Sequence, residues 1–422
     1  MLKKIILKGP LLTRSGYGEQ ARYALRALRS RPDLFDVYIQ PLTWGQTSWL
    51  NERNAEREWI DKTIERTIAH IQQGGQFDMS LQVTIPAEYE NMAPVNVGYT
   101  AGIETTQVSS EWIQATNQME RVIVISNHAK DVFERTTYEG TNEATGEHVI
   151  LKTNIPIHPI CYPVKTFEEL PEVPLELKHD FNFLTVAQFG PRKNVANTIK
   201  WFIEEFRNEP VGLIVKTNVA KNCQMDREMV QQKFREILSM IENPEDRQCS
   251  LYLLHGDMTD EEIHSLYEHP NINALLALTH GEGFGLPLYE AAYTGIPVIA
   301  AGWSGHLDFL VDEKGREHFY NVAYDLNAIP EEAVWDTVLL KESMWAYPRE
   351  QDAKLKMREC YKELTGEKSE EAIVYHKEYA QKLREKFSEE KMYEQFASLV
   401  YGEHIDVNSW LAQLDDEIEE HE

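Results

Sequence analysis

Predicted strands and helices alternate along most of the chain, in two series separated by a segment rich in proline and glutamate. The first series begins at Lys3, the second begins at Phe181, and Val164–Asp180 lies between them. Strands that alternate with helices form parallel sheets with helices on both faces. The sequence therefore predicts an α/β protein with two doubly wound, Rossmann-like halves. Ligands of such folds bind at the carboxyl ends of the strands, which predicts a cleft between the halves.

The chain of 422 residues is long enough for two or three domains. We place the first domain at residues 1–165, the second at 166–365 and a C-terminal helical part at 366–422. Gly9–Gly18 is predicted to be a loop before a helix at Glu19–Ser30, and residues 139–150 a loop or hairpin. After about residue 330 the pattern predicts only helices, which end in an acidic amphipathic tail.

Composition limits the classes of protein that fit. No apolar run is long enough to span a bilayer, and the N-terminal residues predict a strand and not a signal peptide. The four cysteines are scattered without metal-type spacing, which is typical of a reducing compartment. We therefore expect a cytoplasmic protein.

The net charge of −27 argues against long duplex nucleic acid as a partner. Basic residues are nevertheless concentrated near the N-terminus, where Arg22, Arg26 and Arg29 share one face of a predicted helix. A solvated helix face is the favoured interpretation, and a docking patch for an anionic molecule is the alternative.

The most informative local segment is Gly281–Pro297, in which a glycine-rich loop opens a helix. Glu282 lies in the loop, and Glu290 follows eight residues later on the helix. The unpaired N–H groups and positive dipole end of a helix N-terminus bind phosphate well. At helical rise the two carboxylates are at most roughly 12 Å apart. This suits a ligand with a hydroxyl-rich group at each end and phosphates between them, as in a nucleotide sugar.

Cations are predicted at the same cleft. Arg192 and Lys193 follow the first strand of the second half, where they could neutralise a departing diphosphate. Lys216 ends the next strand and is a minor candidate, because a lysine there more often extends to solvent. The loop Gly9–Gly18 follows the first strand of the chain and suits close approach of the backbone to a ligand, but it lacks the spacing of a dinucleotide fingerprint.

Further candidates follow other strands. Glu104 is predicted to face the cleft from the first half, where it could contact an acceptor or act as its base; it could instead cap a helix near Ser109. His128 is interpreted as a first-turn residue of a helix more readily than as a catalyst. Trp303 could form one wall of a sugar pocket, and His306 is interpreted as structural. No His, Cys, Asp or Glu cluster has metal-ligand spacing, so no metal or other cofactor is expected.

Taken together, these segments resemble glycosyltransferase family 4, the retaining enzymes of the two-domain GT-B fold. Gly281–Ala300 is similar to the family's E-x7-E segment, and Phe183–Asn194 is similar to its strand followed by Pro-Arg-Lys-Asn. Tyr99–Ser126 and Ser343–Pro348 resemble segments of one subgroup. The resemblance covers roughly residues 3–365.

The resemblance implies roles for the candidate residues. Glu290 would bind the donor ribose, Glu282 would face the transferred sugar, and Arg192 with Lys193 would hold the diphosphate. Further donor contacts would come from Gly16, Gly18, Gly283, Phe284, Gly285 and Leu286. The first domain would be the acceptor side, the second would bind the nucleotide sugar, and the last helices would cross back to the first.

The sequence departs from the family at two places. Many relatives have an arginine a few residues before the Arg-Lys pair, where this chain has Ala187-Gln188-Phe189, so Arg192 would have to substitute. Many also have a catalytic histidine in the first domain, where this chain offers Glu104.

The function predicted from this resemblance is a cytoplasmic, metal-independent, retaining hexosyl- or pentosyltransferase. It would use a UDP- or GDP-sugar and an acceptor hydroxyl on a glycan, a lipid, a protein or a modified nucleobase in DNA. The alternatives are a GT-B-type sugar-nucleotide epimerase or hydrolase, and a binding protein without turnover. The intact set of Glu282, Glu290 and Lys193 argues against the last of these.

Overall fold

The computed structural model describes residues 2–44, 47–51, 53–141 and 146–402. The predicted acidic tail lies outside the described residues. The chain forms two lobes, each built on a parallel sheet, and the sheets are joined through residues 160–180.

The first lobe contains the strands and helices of residues 3–159. Its strands are β1 (Lys3–Gly9), β2 (Phe35–Pro41), β3 (Met79–Val83), β4 (Val95–Thr100), β5 (Arg121–Val124), β6 (Thr137–Thr141), β7 (His148–Lys152) and β8 (Ile157–Pro159). Its helices are α1 (Gly16–Ser30), α2 (Ala55–Gln72), α3 (Ser110–Thr116) and α4 (Asn127–Arg135). The parallel sheet has the order β2-β1-β3-β4-β5-β8, and β6 pairs with β7 as an antiparallel hairpin, one of the two structures predicted there.

The second lobe contains the strands β9 (Phe181–Val186), β10 (Val211–Lys216), β11 (Ser250–Leu254), β12 (Ala274–Ala277), β13 (Val298–Ala301), β14 (Tyr320–Val322), β15 (Tyr324–Ala328) and β16 (Met344–Pro348). Its helices are α5 (Val195–Phe206), α6 (Gln224–Ser239), α7 (Asp260–Tyr267), α8 (Leu286–Thr294) and α9 (Leu307–Leu310), followed by α10 (Glu350–Thr365), α11 (Ser369–Lys386) and α12 (Glu389–Tyr401). The parallel sheet has the order β11-β10-β9-β12-β13-β14.

Burial of both sheet faces explains the strand sequences. Ile5, Ile6 and Leu7 in β1 are all at most 1% exposed, because helices cover both sides. The same holds for Val211–Lys216 in the second lobe, where every residue is buried. Apolar runs therefore mark β1 and β10, whereas the equally buried β3 also contains Ser80 and Gln82.

The last helix packs against the first lobe. The hydroxyl of Tyr23 on α1 donates to the carbonyl of Met392 (3.1 Å), and Arg31 forms an ion pair with Glu394 (2.7 Å). Phe396 is fully buried, with its ring centroid 5.0 Å from that of Tyr23. The chain thus ends, within its described part, on the lobe in which it began.

Two local predictions are wrong. The first helix begins at Gly16 and not at Glu19, because Ser15 is an N-cap whose hydroxyl accepts from the Gly18 amide (2.9 Å). The chain after residue 330 is not purely helical, since β16 pairs antiparallel with β15. Trp345 in β16 stacks on His280, a contact distant in sequence that local periodicity does not reveal.

The three arginines on the basic face of α1 differ in their surroundings. Arg22 is 8% exposed and donates to the carbonyls of Leu11 and Thr13. Arg26 forms a bidentate pair with Glu56, with distances of 2.8 and 2.9 Å. Arg29 is exposed, with its guanidinium 4.3 Å from the ring centroid of Trp59. The interpretation of a solvated face is therefore wrong for Arg22 and agrees with the structure at Arg29. Among the described residues, no helix is both long and apolar enough to cross a membrane.

Candidate active site

A cleft of about 1120 Å³ lies between the lobes, at the carboxyl ends of the strands of both sheets. The loops after β1 and β4 line it from the first lobe. The loops after β9, β10 and β12 and the start of α8 line it from the second. This is the position expected for the ligand site of two facing doubly wound sheets.

The short turn Pro191–Lys193 after β9 carries two cations of the cleft. Asn194 ends the turn in the left-handed conformation (φ 53°), and its side-chain amide donates to the carbonyl of Leu278 (3.0 Å). The His280 amide donates to the Arg192 carbonyl (2.8 Å). These two bonds hold the turn beside the loop after β12, which contains Glu282.

Arg192 and Lys193 both bind the carboxylate of Glu282. Lys193 Nζ lies 2.6 Å from Oε1, and Arg192 Nη1 lies 3.1 Å from Oε2. Burial of Glu282 opposes ionisation, but the two cations outweigh it and lower the pKa of this carboxyl to about 2. Burial lowers the pKa of Lys193, although Glu282 acts against that change. The site therefore holds an ionised carboxylate in contact with two cations.

Glu104 reaches this cluster from the first lobe. Its Oε1 lies 3.1 Å from Arg192 Nη2, so Arg192 joins a carboxylate of each lobe. Burial would lower the pKa of Arg192, but the two carboxylates raise it. The alternative prediction, that Glu104 caps a helix near Ser109, is wrong: the Ser109 hydroxyl itself caps α3 by accepting from the Trp112 amide (3.2 Å).

The glycines of the loop before α8 allow the lobes to approach closely. A Cβ atom on Gly283 would lie 2.6 Å from the carbonyl oxygen of Ala101 in the first lobe. The Ser126 hydroxyl, also in the first lobe, donates to the Gly283 carbonyl (2.6 Å). Gly285 adopts φ 94° immediately before α8, a conformation that favours glycine. The glycine-rich loop thus serves an interlobe contact as well as the start of the helix.

The N-terminus of α8 opens into the cleft. Gly283, Phe284, Gly285 and Leu286 line the cavity. The first-turn amides of a helix have no partner within it and form an anion site. The side chain of Phe284 is buried and packs on Tyr162 and Tyr289, so this residue presents its backbone to the cleft.

Glu290 lies in the second turn of α8 and also lines the cleft. The hydroxyl of Tyr267 donates to its Oε2 (3.1 Å). Burial raises the pKa of Glu290 to about 7, with the charges of Asp260 and Glu19 acting in the same direction. Lys165 opposes this shift, but it is shared with two other carboxylates, Glu19 at 2.9 Å and Asp260 at 2.8 Å.

The predicted glycines after β1 differ in their positions. Gly16 lines the cleft at the start of α1. Gly18 does not lie among the lining residues; a Cβ atom there would meet the Thr13 carbonyl oxygen at 2.1 Å, so it is a packing glycine. Lys216 lines the cleft, and its Nζ donates to the Gly256 carbonyl (2.7 Å).

Three other candidates lie at the lobe contact. His128 occupies the first turn of α4, as predicted, and burial lowers its pKa to about 4. Trp303 packs its ring against His128 at 4.8 Å and is absent from the described cleft lining, so its prediction as a pocket wall is wrong. His306 is buried and bonds the Ala301 carbonyl through Nε2 (2.7 Å), as expected of a structural histidine.

The sequence analysis missed several residues of this region. Lys165 and Tyr267 flank Glu290, and Ser126 binds the glycine loop. Lys165 lies in the segment interpreted only as a domain boundary, and no local motif marks it. Within the described part of the chain, no group of three or more His, Cys, Asp or Glu side chains is placed to hold a metal ion.

Comparison with known proteins gives one family match. Residues 166–325, which contain β9 to β14 and α8, match the family model of glycosyl transferases group 1. No curated protein matches the sequence.

Solved structures match over almost the whole chain. The Anabaena protein HepE in complex with UDP and glucose has a TM-score of 0.55 at 12% identity, covering 95% of this chain and 100% of that one. Sucrose-phosphate synthase from Thermosynechococcus elongatus has a TM-score of 0.57 at 14% identity, covering 94% and 98%. A structure of E. coli trehalose-6-phosphate bound with UDP-2-fluoro glucose, as it is described, has a TM-score of 0.56 at 11% identity. That match covers 94% of this chain and 99% of the other. The chain therefore has the GT-B fold that the sequence predicted.

Proposed function

We propose that this protein is a retaining glycosyltransferase that moves a sugar from a UDP- or GDP-sugar to an acceptor hydroxyl in the interlobe cleft. The observation that carries the proposal is the convergence of Arg192 and Lys193 beside the N-terminus of α8. Two cations and a helix dipole at one place suit a diphosphate. The family model over residues 166–325 and the UDP bound by structural neighbours support the same assignment.

The proposed roles follow the position of each residue. The diphosphate binds Arg192, Lys193 and the amides that begin α8, in competition with the Glu282 carboxylate. Glu290 accepts hydrogen bonds from the ribose hydroxyls, and Glu282 faces the transferred sugar. Glu104 orients Arg192 from the acceptor side.

In the proposed reaction, the acceptor oxygen bonds to the anomeric carbon on the face from which the diphosphate leaves. The bond between that carbon and the diphosphate oxygen breaks, and the acceptor proton passes to a phosphate oxygen. The products are a glycoside of retained configuration and a nucleoside diphosphate. The protein supplies positioning and charge stabilisation, which is worth about 3–4 kcal/mol for each preorganised donor. We propose that the reaction takes place in the cytoplasm. We also propose that it requires no metal ion, so that EDTA should leave the transfer rate unchanged.

The proposal is tested with Lys193→Ala and a matched control, Lys200→Ala. Lys200 is a lysine of α5 with a 40% exposed side chain that pairs with Glu204 outside the cleft lining. UDP or GDP should raise the melting temperature of the parent and of the control, because a ligand of the native state stabilises it. The shift should be much smaller for Lys193→Ala, and its transfer rate should fall about 100-fold or more.

Two results would contradict the proposal. One is an equal nucleotide-induced shift in Lys193→Ala and the parent. The other is rapid consumption of the nucleotide sugar that is unchanged by any acceptor, which would indicate an epimerase or hydrolase.

A further inference from the structure

A segment of the second lobe extends across the cleft to the first lobe. This crossing segment comprises residues 324–348: β15, the loop 329–343 and β16. The Ala346 amide donates to the His280 carbonyl (3.0 Å), which fixes β16 on its own lobe. At the other side of the cleft, the Met344 amide donates to the Thr106 hydroxyl of the first lobe (3.1 Å). The crossing segment is therefore held at both sides.

The tip of the crossing segment is a tight turn that buries one apolar residue and exposes another. Trp335 and Leu339 exchange backbone hydrogen bonds of 3.1 and 2.7 Å, and Thr337 between them adopts φ 67°. Val338 is 8% exposed and belongs to a buried cluster of the first lobe. Trp335 is 54% exposed and lines the cleft. Because Val338 anchors the turn, the backbone at Trp335 is held at the edge of the cleft and is not part of a free loop.

Two more aromatic residues, Tyr17 and Trp44, line the same cleft. The ring centroids of Tyr17 and Trp44 are 4.5 Å apart. Both rings, together with Leu339, pack against the same first-lobe cluster that contains Val338. The aromatic group formed by Tyr17, Trp44 and Trp335 is therefore assembled from both lobes around one buried cluster.

The cleft lining that follows Trp44 in the sequence includes uncharged polar residues, Thr47, Ser48 and Asn54, and charged ones, Arg53, Glu56 and Arg57. A pyranose ring has an apolar C–H face and a rim of hydroxyl groups. Aromatic rings suit the face because both surfaces leave water on contact, and hydroxyl and amide groups suit the rim. This mixture fits a sugar better than it fits an alkyl chain, which offers no group for the polar side chains.

The volume of the site agrees with a second ligand, and the net charge of the chain argues against a polyanionic one. A cleft of about 1120 Å³ exceeds the roughly 300–1,000 Å³ of typical single-ligand pockets. The net charge of −27 opposes approach to a nucleic acid or to an anionic membrane surface. Two of the nearby arginines are paired, Arg57 with Asp61 (3.0 Å) and the Leu50 carbonyl (2.7 Å), and Arg26 with Glu56 (2.8 Å). Arg53, which also lines the cleft, is exposed.

We propose that Tyr17, Trp44 and Trp335 form an acceptor subsite for a neutral sugar ring, so that the acceptor is a glycan or glycoside. The inference rests on the proposed function, and it adds the chemical class of the acceptor. Trp335 is the distinguishing residue, because it comes from the lobe that also holds the proposed donor site. Its contact with the acceptor sugar ties acceptor binding to the position of the second lobe.

The test uses Trp335→Ala, Trp335→Phe and a control, Leu355→Ala, which removes a 51% exposed apolar side chain of α10 outside the cleft lining. Binding of maltose, cellobiose and lactose to each UDP-loaded protein is measured by saturation-transfer NMR. At least one disaccharide should bind the parent with a Kd on the order of 1 mM. Trp335→Ala should weaken that binding about tenfold. Trp335→Phe should retain most of it, and Leu355→Ala should match the parent.

UDP affinity is measured separately and should be the same in all four proteins. If UDP binds the parent but no disaccharide does, or if Trp335→Ala binds the disaccharide as well as the parent, the sugar subsite is wrong while the proposed function stands. The sugar subsite would also be wrong if a single-stranded DNA oligonucleotide or anionic phospholipid vesicles bound more tightly than every disaccharide and if that binding required Trp335. Absence of UDP binding to the parent would instead contradict the proposed function.

Discussion

Glu282 and Glu290 are carboxylates of the same cleft whose surroundings shift their pKa values in opposite directions. Glu282 touches two cations, so its pKa falls to about 2 in spite of burial. The cation that favours ionisation of Glu290 is Lys165, which is already paired with Glu19 and Asp260, so burial raises the pKa of Glu290 to about 7. Near neutral pH Glu282 is therefore ionised, whereas Glu290 can gain or lose a proton.

The raised pKa of Glu290 predicts a pH-dependent stability difference for Glu290→Gln. In the unfolded chain this carboxyl titrates near its ordinary value of 4.5, whereas in the folded protein it titrates near 7. Between these values the folded state binds more protons, so the contribution of Glu290 to the unfolding free energy falls as pH rises. Glu290→Gln lacks this loss. The unfolding free energy of Glu290→Gln, relative to that of the parent, should therefore rise by up to about 3 kcal/mol as the pH rises from 4.5 to above 7.

Urea unfolding of both proteins between about pH 5 and pH 8 measures this difference. Glu268→Gln, a change at an exposed glutamate just after α7, is the control and should parallel the parent. A difference between Glu290→Gln and the parent that does not change with pH would contradict the assigned titration.

At the scale of elements, α12 attaches the end of the described chain to the first lobe through an aromatic contact. Phe396 is fully buried, and its ring centroid lies 5.0 Å from that of Tyr23 on α1 and 4.9 Å from that of Tyr99 on β4. Phe396→Ala should lower the free energy of unfolding by about 3–5 kcal/mol, since a large buried ring leaves a cavity.

Urea unfolding measures this loss, with Glu390→Ala at an exposed position of the same helix as the control. The control should lie within about 0.5 kcal/mol of the parent. If Phe396→Ala lowered the free energy of unfolding no more than the control does, the contact of α12 with the first lobe would not stabilise the protein.

The element scale also shows where local sequence patterns were sufficient. The apolar pattern predicts a helix over 195–206 and strands over 211–216 and 274–277, and these are the observed bounds of α5, β10 and β12. Each element has one face or both faces buried in its own lobe, so the local pattern was sufficient. β16 was missed, since its structure depends on pairing with β15 and on contact with His280. Burial of Arg22 was missed for a similar reason: its partners are loop carbonyls, which no periodicity reveals.

At the scale of the molecule, several contacts hold the lobes together across the cleft. The Asp308 carboxylate accepts from the backbone and side-chain amides of Asn127 at the start of α4 (2.7 and 3.1 Å). Ser126 binds Gly283, and Glu104 binds Arg192. The lobes are thus in direct contact at the loop that leads into α8.

Gly283→Ala should separate the lobes, because the new Cβ atom would lie 2.6 Å from the Ala101 carbonyl oxygen. We expect a larger radius of gyration in small-angle X-ray scattering and a lower rate of sugar transfer, with little change in the far-UV circular dichroism spectrum. Gly140→Ala is the control, since a Cβ atom there meets no atom within 4 Å. An unchanged radius of gyration for Gly283→Ala would show that the contact does not set the lobe separation.

The sequence by itself determined the two doubly wound lobes, and it marked Glu282, Glu290, Arg192 and Lys193, which the fold brings to one cleft. These features depend on apolar periodicity and on short motifs, both of which are local along the chain. Only the tertiary structure decided which groups meet: Lys165 with Glu19, Glu104 with Arg192, and the crossing segment with the first lobe. Those contacts join residues distant in sequence, and their strength depends on burial and on competing charges, which exist only once both lobes have folded and met.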